Sequence, residues 1–139
     1  MVFYFIMKYF IWSIIWAVIV LLLTCMPMGG AEEKVPHFEG MDKMVHTGFF
    51  FVFSVLLCMG YAGKNRSQQA QSTTFLMVLL ISAGFGLLTE FLQYQFFTYR
   101  SGDWWDFFAD MVGTGMGLFS YIVLHRNYGD RHPTVKKIK

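Results

Sequence analysis

The amino-acid sequence predicts an all-α, polytopic membrane protein built as a bundle of four transmembrane helices. Hydrophobic residues make up 55% of the 139-residue chain and charged residues only 14%. This composition is too apolar for an ordinary soluble domain. The apolar residues fall into four long segments separated by polar loops, and a membrane span needs about 20 such residues. We therefore expect a single transmembrane domain over residues 1–139.

Flanking residues set the limits of the four predicted helices. The helices cover about 5–26, 42–61, 73–97 and 106–125, and a basic tail over 126–139 is expected to be flexible. Pro27 stops the first helix. We expect this helix to be an uncleaved span and not a signal peptide, because its apolar stretch is long and three further spans follow. Asp42 suits the N-terminus of the second helix, where a carboxylate meets unpaired amides.

The distribution of basic residues predicts the orientation of the chain. Lys64 and Arg66 lie in the second loop, and the tail is also basic. Since loops rich in Lys and Arg stay in the cytoplasm, both termini are predicted to be cytoplasmic, with the first and third loops outside. Cys25 and Cys58 then lie near opposite membrane faces, so no disulfide is expected. The basic residues are interpreted as topological anchors, and no nucleic-acid partner is expected.

Polar side chains recur at one depth, near the outer ends of three of the predicted spans. At 1.5 Å per residue, Glu90 lies about 25 Å along its helix, close to the far boundary. His46 and Asp110 each lie about one turn inside the outer end of their helices. A charge at membrane depth is costly and usually faces the protein interior or a water-filled cavity. The candidate ligand-binding residues are Asp42, Lys43, His46, Glu90, Gln93, Arg100, Asp106 and Asp110.

Acids outnumber bases in this layer, which leaves three interpretations open: a protonated acid, a bound cation, or an acid that faces solvent. Arg100 could form an ion pair with Asp106 or Glu90 that serves only as structural glue. This interpretation stands beside ligand binding with about equal weight. The candidates for acid–base catalysis are His46, Glu90 and Asp106. For His46 alone, a hydrogen bond between helices is favoured over catalysis.

The sequence leaves open whether any reaction is catalysed. It contains neither a Gly-x-Ser-x-Gly nucleophile turn nor a His-Glu-x-x-His zinc pair. The corresponding enzyme classes are set aside. No metal centre and no cofactor are predicted. Ala109, Gly113 and Gly117 recur every four residues, a pattern of small residues that lets helices pack closely. This face could also serve oligomerisation.

Several of these motifs, taken in order, resemble the VanZ-like family of small membrane proteins. They are Asp42-Lys43-Met-Val-His46, Glu90-Phe-Leu-Gln93, Arg100 followed by Asp106, and the Gly113/Gly117 pattern. The resemblance covers the chain from Asp42 to about Tyr121. It implies a bacterial inner-membrane protein of the cell envelope, in a family whose namesake gives low-level resistance to the glycopeptide teicoplanin. Where the family commonly has Asn before its glycines, this chain has Asp110, which adds a charge.

Three functions are compatible with the residues. The first is binding or modification of an anionic or lipid-linked envelope molecule, with Lys43 and Arg100 holding phosphate or carboxylate groups. The second is a small ion-coupled transporter that uses the acids as a cation or proton site. The third is a structural or regulatory membrane subunit without catalysis. The chain lacks the repeated halves typical of many carriers, which weakens the second function for a monomer.

Overall fold

Four helices and no strand make up the residues described by the computed structural model, 2–25, 40–64, 69–96 and 104–131. The helices are α1 (Val2–Cys25), α2 (Met41–Lys64), α3 (Gln69–Phe96) and α4 (Trp104–Arg131). The predicted all-α bundle is confirmed. Among the described residues, α2, α3 and α4 each contain a stretch long and apolar enough to cross a membrane, while the apolar stretch found in α1, Lys8–Thr24, is shorter. As a whole, α1 has 24 residues.

All four observed helices begin before their predicted limits, and α2 and α4 also end after them, whereas α1 and α3 each end one residue earlier than predicted. The largest difference is in α4, which continues to Arg131. Residues 126–131, which the sequence analysis placed in the tail, continue the helix, and the flexibility of the tail stays a prediction. An apolar pattern marks only the part of a helix that lies in lipid, whereas polar residues past Leu124 can continue the same helix into water. The remainder of the predicted tail, 132–139, lies outside the described residues.

The interior of the bundle is unusually polar, and its exterior is apolar. Large hydrophobic side chains are exposed on all four helices. The buried polar or charged residues are Ser13, Thr24, His46, Ser54, Thr74, Ser82, Thr89, Gln93, Asp106, Asp110 and Thr114. A surrounding hydrocarbon phase explains this arrangement, because lipid solvates apolar side chains well and polar groups must find partners inside the protein.

The two ends of the bundle differ in character. Where α2 and α4 end and α1 and α3 begin, the interior is an aromatic and aliphatic core around Phe53, Leu57, Cys58 and Val78. The ring centroids of Phe53 and Phe85 lie 5.0 Å apart there. Cys58 is a buried free thiol. The opposite end, where α2 and α4 begin, holds the buried acids and His46.

Helices α2 and α4 lie side by side in the same direction and make the most extensive helix contact of the bundle. Two glycines of α4 allow this approach. A Cβ added at Gly113 would overlap the carbonyl oxygen of Thr47, and one at Gly117 would overlap Ser54 Oγ and lie 2.7 Å from the carbonyl oxygen of Phe51. The predicted use of the Gly113/Gly117 face for oligomerisation is therefore wrong, because α2 of the same chain occupies it.

Gly113 and its neighbour Gly115 provide a matched pair of substitutions for testing this contact. We expect Gly113→Ala to lower the free energy of unfolding by about 1–3 kcal/mol, because the new methyl group forces the two backbones apart. Gly115→Ala is the control, since a Cβ there meets nothing within 4 Å. It should leave stability unchanged or raise it by up to about 1 kcal/mol through helix propensity. Thermal unfolding in detergent measures both, and equal effects would contradict the proposed packing.

Candidate functional site

Two polar pairs join α2 to α4 at the end where both helices begin. Lys43 Nζ lies 3.3 Å from Asp106 Oδ1, and His46 Nδ1 lies 3.0 Å from Asp110 Oδ1. The two residues of α2 are three positions apart and those of α4 are four apart, so each pair of neighbours shares one helix face. Because α2 and α4 run parallel, the first turn of α2 meets the first turn of α4, and the next turn of each helix supplies the second pair.

Burial increases steeply from the first pair to the second. The side chain of Lys43 is 43% exposed and that of Asp106 is 11% exposed, whereas His46 and Asp110 are 3% and 0% exposed. The Lys43–Asp106 pair thus lies at the rim of the bundle, and the His46–Asp110 pair lies beneath it. The hydrogen bond between them gives His46 Nδ1 and Asp110 Oδ1 a partner in an interior where an unpaired polar atom is costly.

Helix α3 brings Glu90 to the same region. Potential ligand atoms of His46, Glu90 and Asp110 all lie within 4.8 Å of one another, and those of Asp42, His46 and Asp106 form a second group of the same kind. His46 belongs to both groups and lies at the centre of the cluster. Within the described parts of the chain, four carboxylates are thus gathered around one imidazole and one ammonium group.

The second carboxylate oxygen of Asp110 points toward α3. A Cβ built at Gly86 would lie 3.1 Å from Asp110 Oδ2, so the absence of a side chain at Gly86 leaves room for this oxygen. Gly86 and Glu90 are four residues apart and share one face of α3. Asp110 Oδ2 is buried and has no hydrogen-bond partner among the residues that the structure describes.

Threonines that the sequence analysis did not single out support the site. Thr47 donates hydrogen bonds to the carbonyl oxygens of Lys43, at 2.9 Å, and Ala109, at 3.2 Å, and so ties α2 to α4 beside the polar pairs. Thr114 donates to the carbonyl oxygen of Asp110 at 2.9 Å. The position of Thr47 directly after His46 was the available signal, but a single threonine in an apolar helix is too common to be diagnostic.

The structure brings together Asp42, Lys43, His46, Glu90, Asp106 and Asp110 from the predicted set. Gln93 is buried, but its side-chain amide donates to the carbonyl oxygen of Thr24 at 3.4 Å and so connects α3 to α1. Arg100 lies outside the described residues, as does its predicted ion pair. The predicted hydrogen bond between helices through His46 is confirmed. A role of the clustered residues in ligand binding stays a prediction.

These features define a small helical membrane protein with a polar cluster of acids, a histidine and a lysine at one end of its bundle. The sequence model of the VanZ/LLP1 family matches residues 1–125. The chain therefore belongs to the VanZ/LLP1 family, as the sequence motifs predicted. The match also takes in α1, which lies N-terminal to all of the motifs that carried the resemblance.

A curated relative lies outside bacteria. The chain is similar to an uncharacterized protein of the fission yeast Schizosaccharomyces pombe, with 32% identity over 85 residues. The alignment covers 61% of this chain and 49% of the yeast protein, so the chain spans about half the length of the curated relative it matches. No solved structure matches the chain.

Substitution of Asp110 tests the importance of the buried pair. We expect Asp110→Ala to lower stability by about 1–3 kcal/mol, because it leaves the buried His46 without its partner. Asp110→Asn should cost less, since its amide oxygen can still accept from the imidazole. The double variant His46→Ala/Asp110→Ala should lose less than the sum of the two single alanine variants. Thermal unfolding in detergent measures the stability of each variant. If the stability loss of the double variant equals the sum of the two single losses, the two side chains are not coupled.

Proposed function

We propose that this protein binds an anionic molecule of the cell envelope, such as a lipid headgroup or a lipid-linked phosphate, at the bundle end where α2 and α4 begin. The side chain of Lys43, which is 43% exposed, carries the proposal. Its ammonium group lies at the rim of the polar cluster and contacts the nearly buried carboxylate of Asp106. A cationic side chain exposed to this degree can add a contact with an anion from the membrane surface to the contacts that it makes within the protein.

Exposed aromatic residues support a location at headgroup depth. Trp104 and Trp105 begin α4 close to Asp106, and Tyr94 lies near the end of α3 at the same end of the bundle. All three are more than half exposed. Tryptophan and tyrosine favour the membrane–water interface, because one part of each ring is apolar and the other forms hydrogen bonds. Lys43 would then lie at the level of lipid phosphates.

The degree of burial favours binding over catalysis. A histidine oriented by a carboxylate is a common arrangement for a general base. His46, however, is almost fully buried beneath the Lys43–Asp106 pair, and its imidazole bridges two helices. A base must reach the proton it removes. We therefore assign the rim to the ligand and the His46–Asp110 pair to supporting the rim.

The expected location follows from the family and from the basic loops. We propose a bacterial plasma membrane with both termini in the cytoplasm, so that Lys43 faces outward. The similar yeast protein indicates that related sequences also occur outside bacteria. Teicoplanin resistance is not included in this proposal, because no contact of the described residues bears on a glycopeptide.

Binding of anionic lipid should depend on Lys43 and not on a lysine at the other end of the bundle. Native mass spectrometry of the detergent-purified protein with phosphatidylglycerol and phosphatidylcholine measures it. We expect Lys43→Ala to weaken phosphatidylglycerol binding about fivefold, since a lysine near an anionic surface contributes about 1 kcal/mol. Lys8→Ala is the matched control, because Lys8 lies near the N-terminus of α1 at the opposite end. The Lys8→Ala variant should bind phosphatidylglycerol with the affinity of the native chain.

Three results would overturn the binding proposal. The first is equal loss in the two lysine variants, and the second is native affinity in Lys43→Ala. The third is a loss of binding that always accompanies a similar loss of thermal stability. If Arg100→Ala also loses binding and thermal stability together, the protein is better described as a structural membrane subunit.

The proposed orientation predicts which loops can be labelled from outside. Single cysteines at Glu33 and Asp103, in a Cys25→Ser/Cys58→Ala background, should react with an impermeant thiol reagent in intact cells, after permeabilisation of an outer membrane where one exists. A cysteine at Lys64 should react only after lysis. Labelling at Lys64 in intact cells, with none at the other two positions, would reverse the orientation.

A further inference from the structure

We propose that His46, Glu90 and Asp110 form a binding site for a divalent transition-metal ion, such as Mn²⁺ or Zn²⁺, between α2, α3 and α4. The three side chains offer one imidazole nitrogen and two carboxylate oxygens within 4.8 Å of one another. This inference does not rest on lipid binding at Lys43. It departs from the expectation of no metal centre and takes up the bound cation, one of the three interpretations that the charges of this layer left open.

The second oxygen of Asp110 provides an independent observation. Asp110 is fully buried, and its Oδ1 is paired with His46, but Oδ2 has no hydrogen-bond partner among the described residues. A buried carboxylate oxygen without a partner is costly. It points to the face of α3 that carries Gly86 and, one turn later, Glu90. A cation between these helices would satisfy this oxygen.

The charge of the cluster is compatible with the same conclusion. Among the described residues, the carboxylates of Asp42, Glu90, Asp106 and Asp110 lie around one ammonium group and one imidazole. Carboxylates that lie close together in a low dielectric repel each other, and a divalent cation between His46, Glu90 and Asp110 would reduce that repulsion.

The ligand atoms are close enough together to share one ion. Nitrogen and oxygen ligands lie about 2.0–2.2 Å from a transition metal, so two ligands on opposite sides are up to about 4.4 Å apart. The three atoms of this group lie within 4.8 Å of one another, which is comparable with that span. An imidazole among the ligands favours Mn²⁺ or Zn²⁺ over Ca²⁺ and Mg²⁺, which take oxygen ligands almost exclusively.

Metal binding can be measured directly on the purified full-length chain. After treatment with a chelator and its removal, isothermal titration with MnCl₂ or ZnCl₂ should show one saturable site per chain. Asp110→Asn and Glu90→Gln should each weaken that site at least tenfold, since each removes one anionic ligand while keeping a side chain of similar size. Asp130→Asn is the control, because it removes one carboxylate from the far end of α4 and should bind like the native chain.

A glycine pair on α3 tests the space for the ion without removing a charge. Gly86→Ala places a methyl group against Asp110 Oδ2 and should weaken the metal site, whereas Gly84→Ala meets nothing within 4 Å and should not. Circular dichroism checks that each variant keeps its helical content. If Asp110→Asn or Glu90→Gln does not fold, the comparison of Gly86→Ala with Gly84→Ala tests the metal site instead. No saturable binding by the native chain would overturn the proposal. Equal binding by all variants, or equal affinity for Mg²⁺ and Ca²⁺, would also overturn it.

Discussion

The close contact of α2 and α4 is the constraint on which the rest of the structure depends. Gly113 and Gly117 bring the backbones together, and no side chain separates them at these points. This spacing sets the alignment of the two helices along their axes. A shift by one turn would separate Lys43 from Asp106 and His46 from Asp110 at the same time. The packing of small residues in the middle of the membrane thus determines which charges meet near its surface.

The polar cluster tolerates burial because its groups are arranged by depth. The pair at the rim contains the long, flexible lysine side chain, which can remain partly hydrated. The pair beneath it contains short side chains that hydrogen-bond directly between helices. A lysine at the inner position would need to lose its hydration without a route to water. The order of residues along α2 is therefore suited to a gradient from water to hydrocarbon.

The sequence predicted the fold class and most members of the cluster because both follow from local patterns. Apolar length identifies spans, and residue depth along a helix groups Asp42, His46, Glu90 and Asp110 in one layer. Depth does not give rotation about the helix axis. For this reason the pairing of Asp106 with Lys43, and the turn of Gln93 toward α1, could not be predicted. The end of α4 was also missed, because hydropathy does not mark the end of a helix in water.

The rotation of each helix about its own axis also determines which of its faces packs against another helix of the same chain. The spacing of Gly113 and Gly117 indicates a close helix contact but does not identify the partner helix. In the structure that partner is α2, through Thr47 and Ser54. Gly84 and Gly86 are equally ambiguous in the sequence, yet only Gly86 faces α4. Contacts with a neighbouring helix, and not the presence of a glycine alone, therefore show which glycine positions are needed for helix packing.

The unequal packing of the helices has a mechanical consequence. The contact between α2 and α4 involves backbone atoms, so these helices cannot slide or rotate against each other without collision. The span in α3 is the least enclosed of the three membrane-spanning stretches identified among the described residues. A change in the distance between the helix backbones at His46 and Glu90 is therefore expected to come from movement of α3 and not from movement of α4 against α2. The polar cluster then has two sides held together by the close contact of α2 and α4, and a third side on α3 that is held less closely.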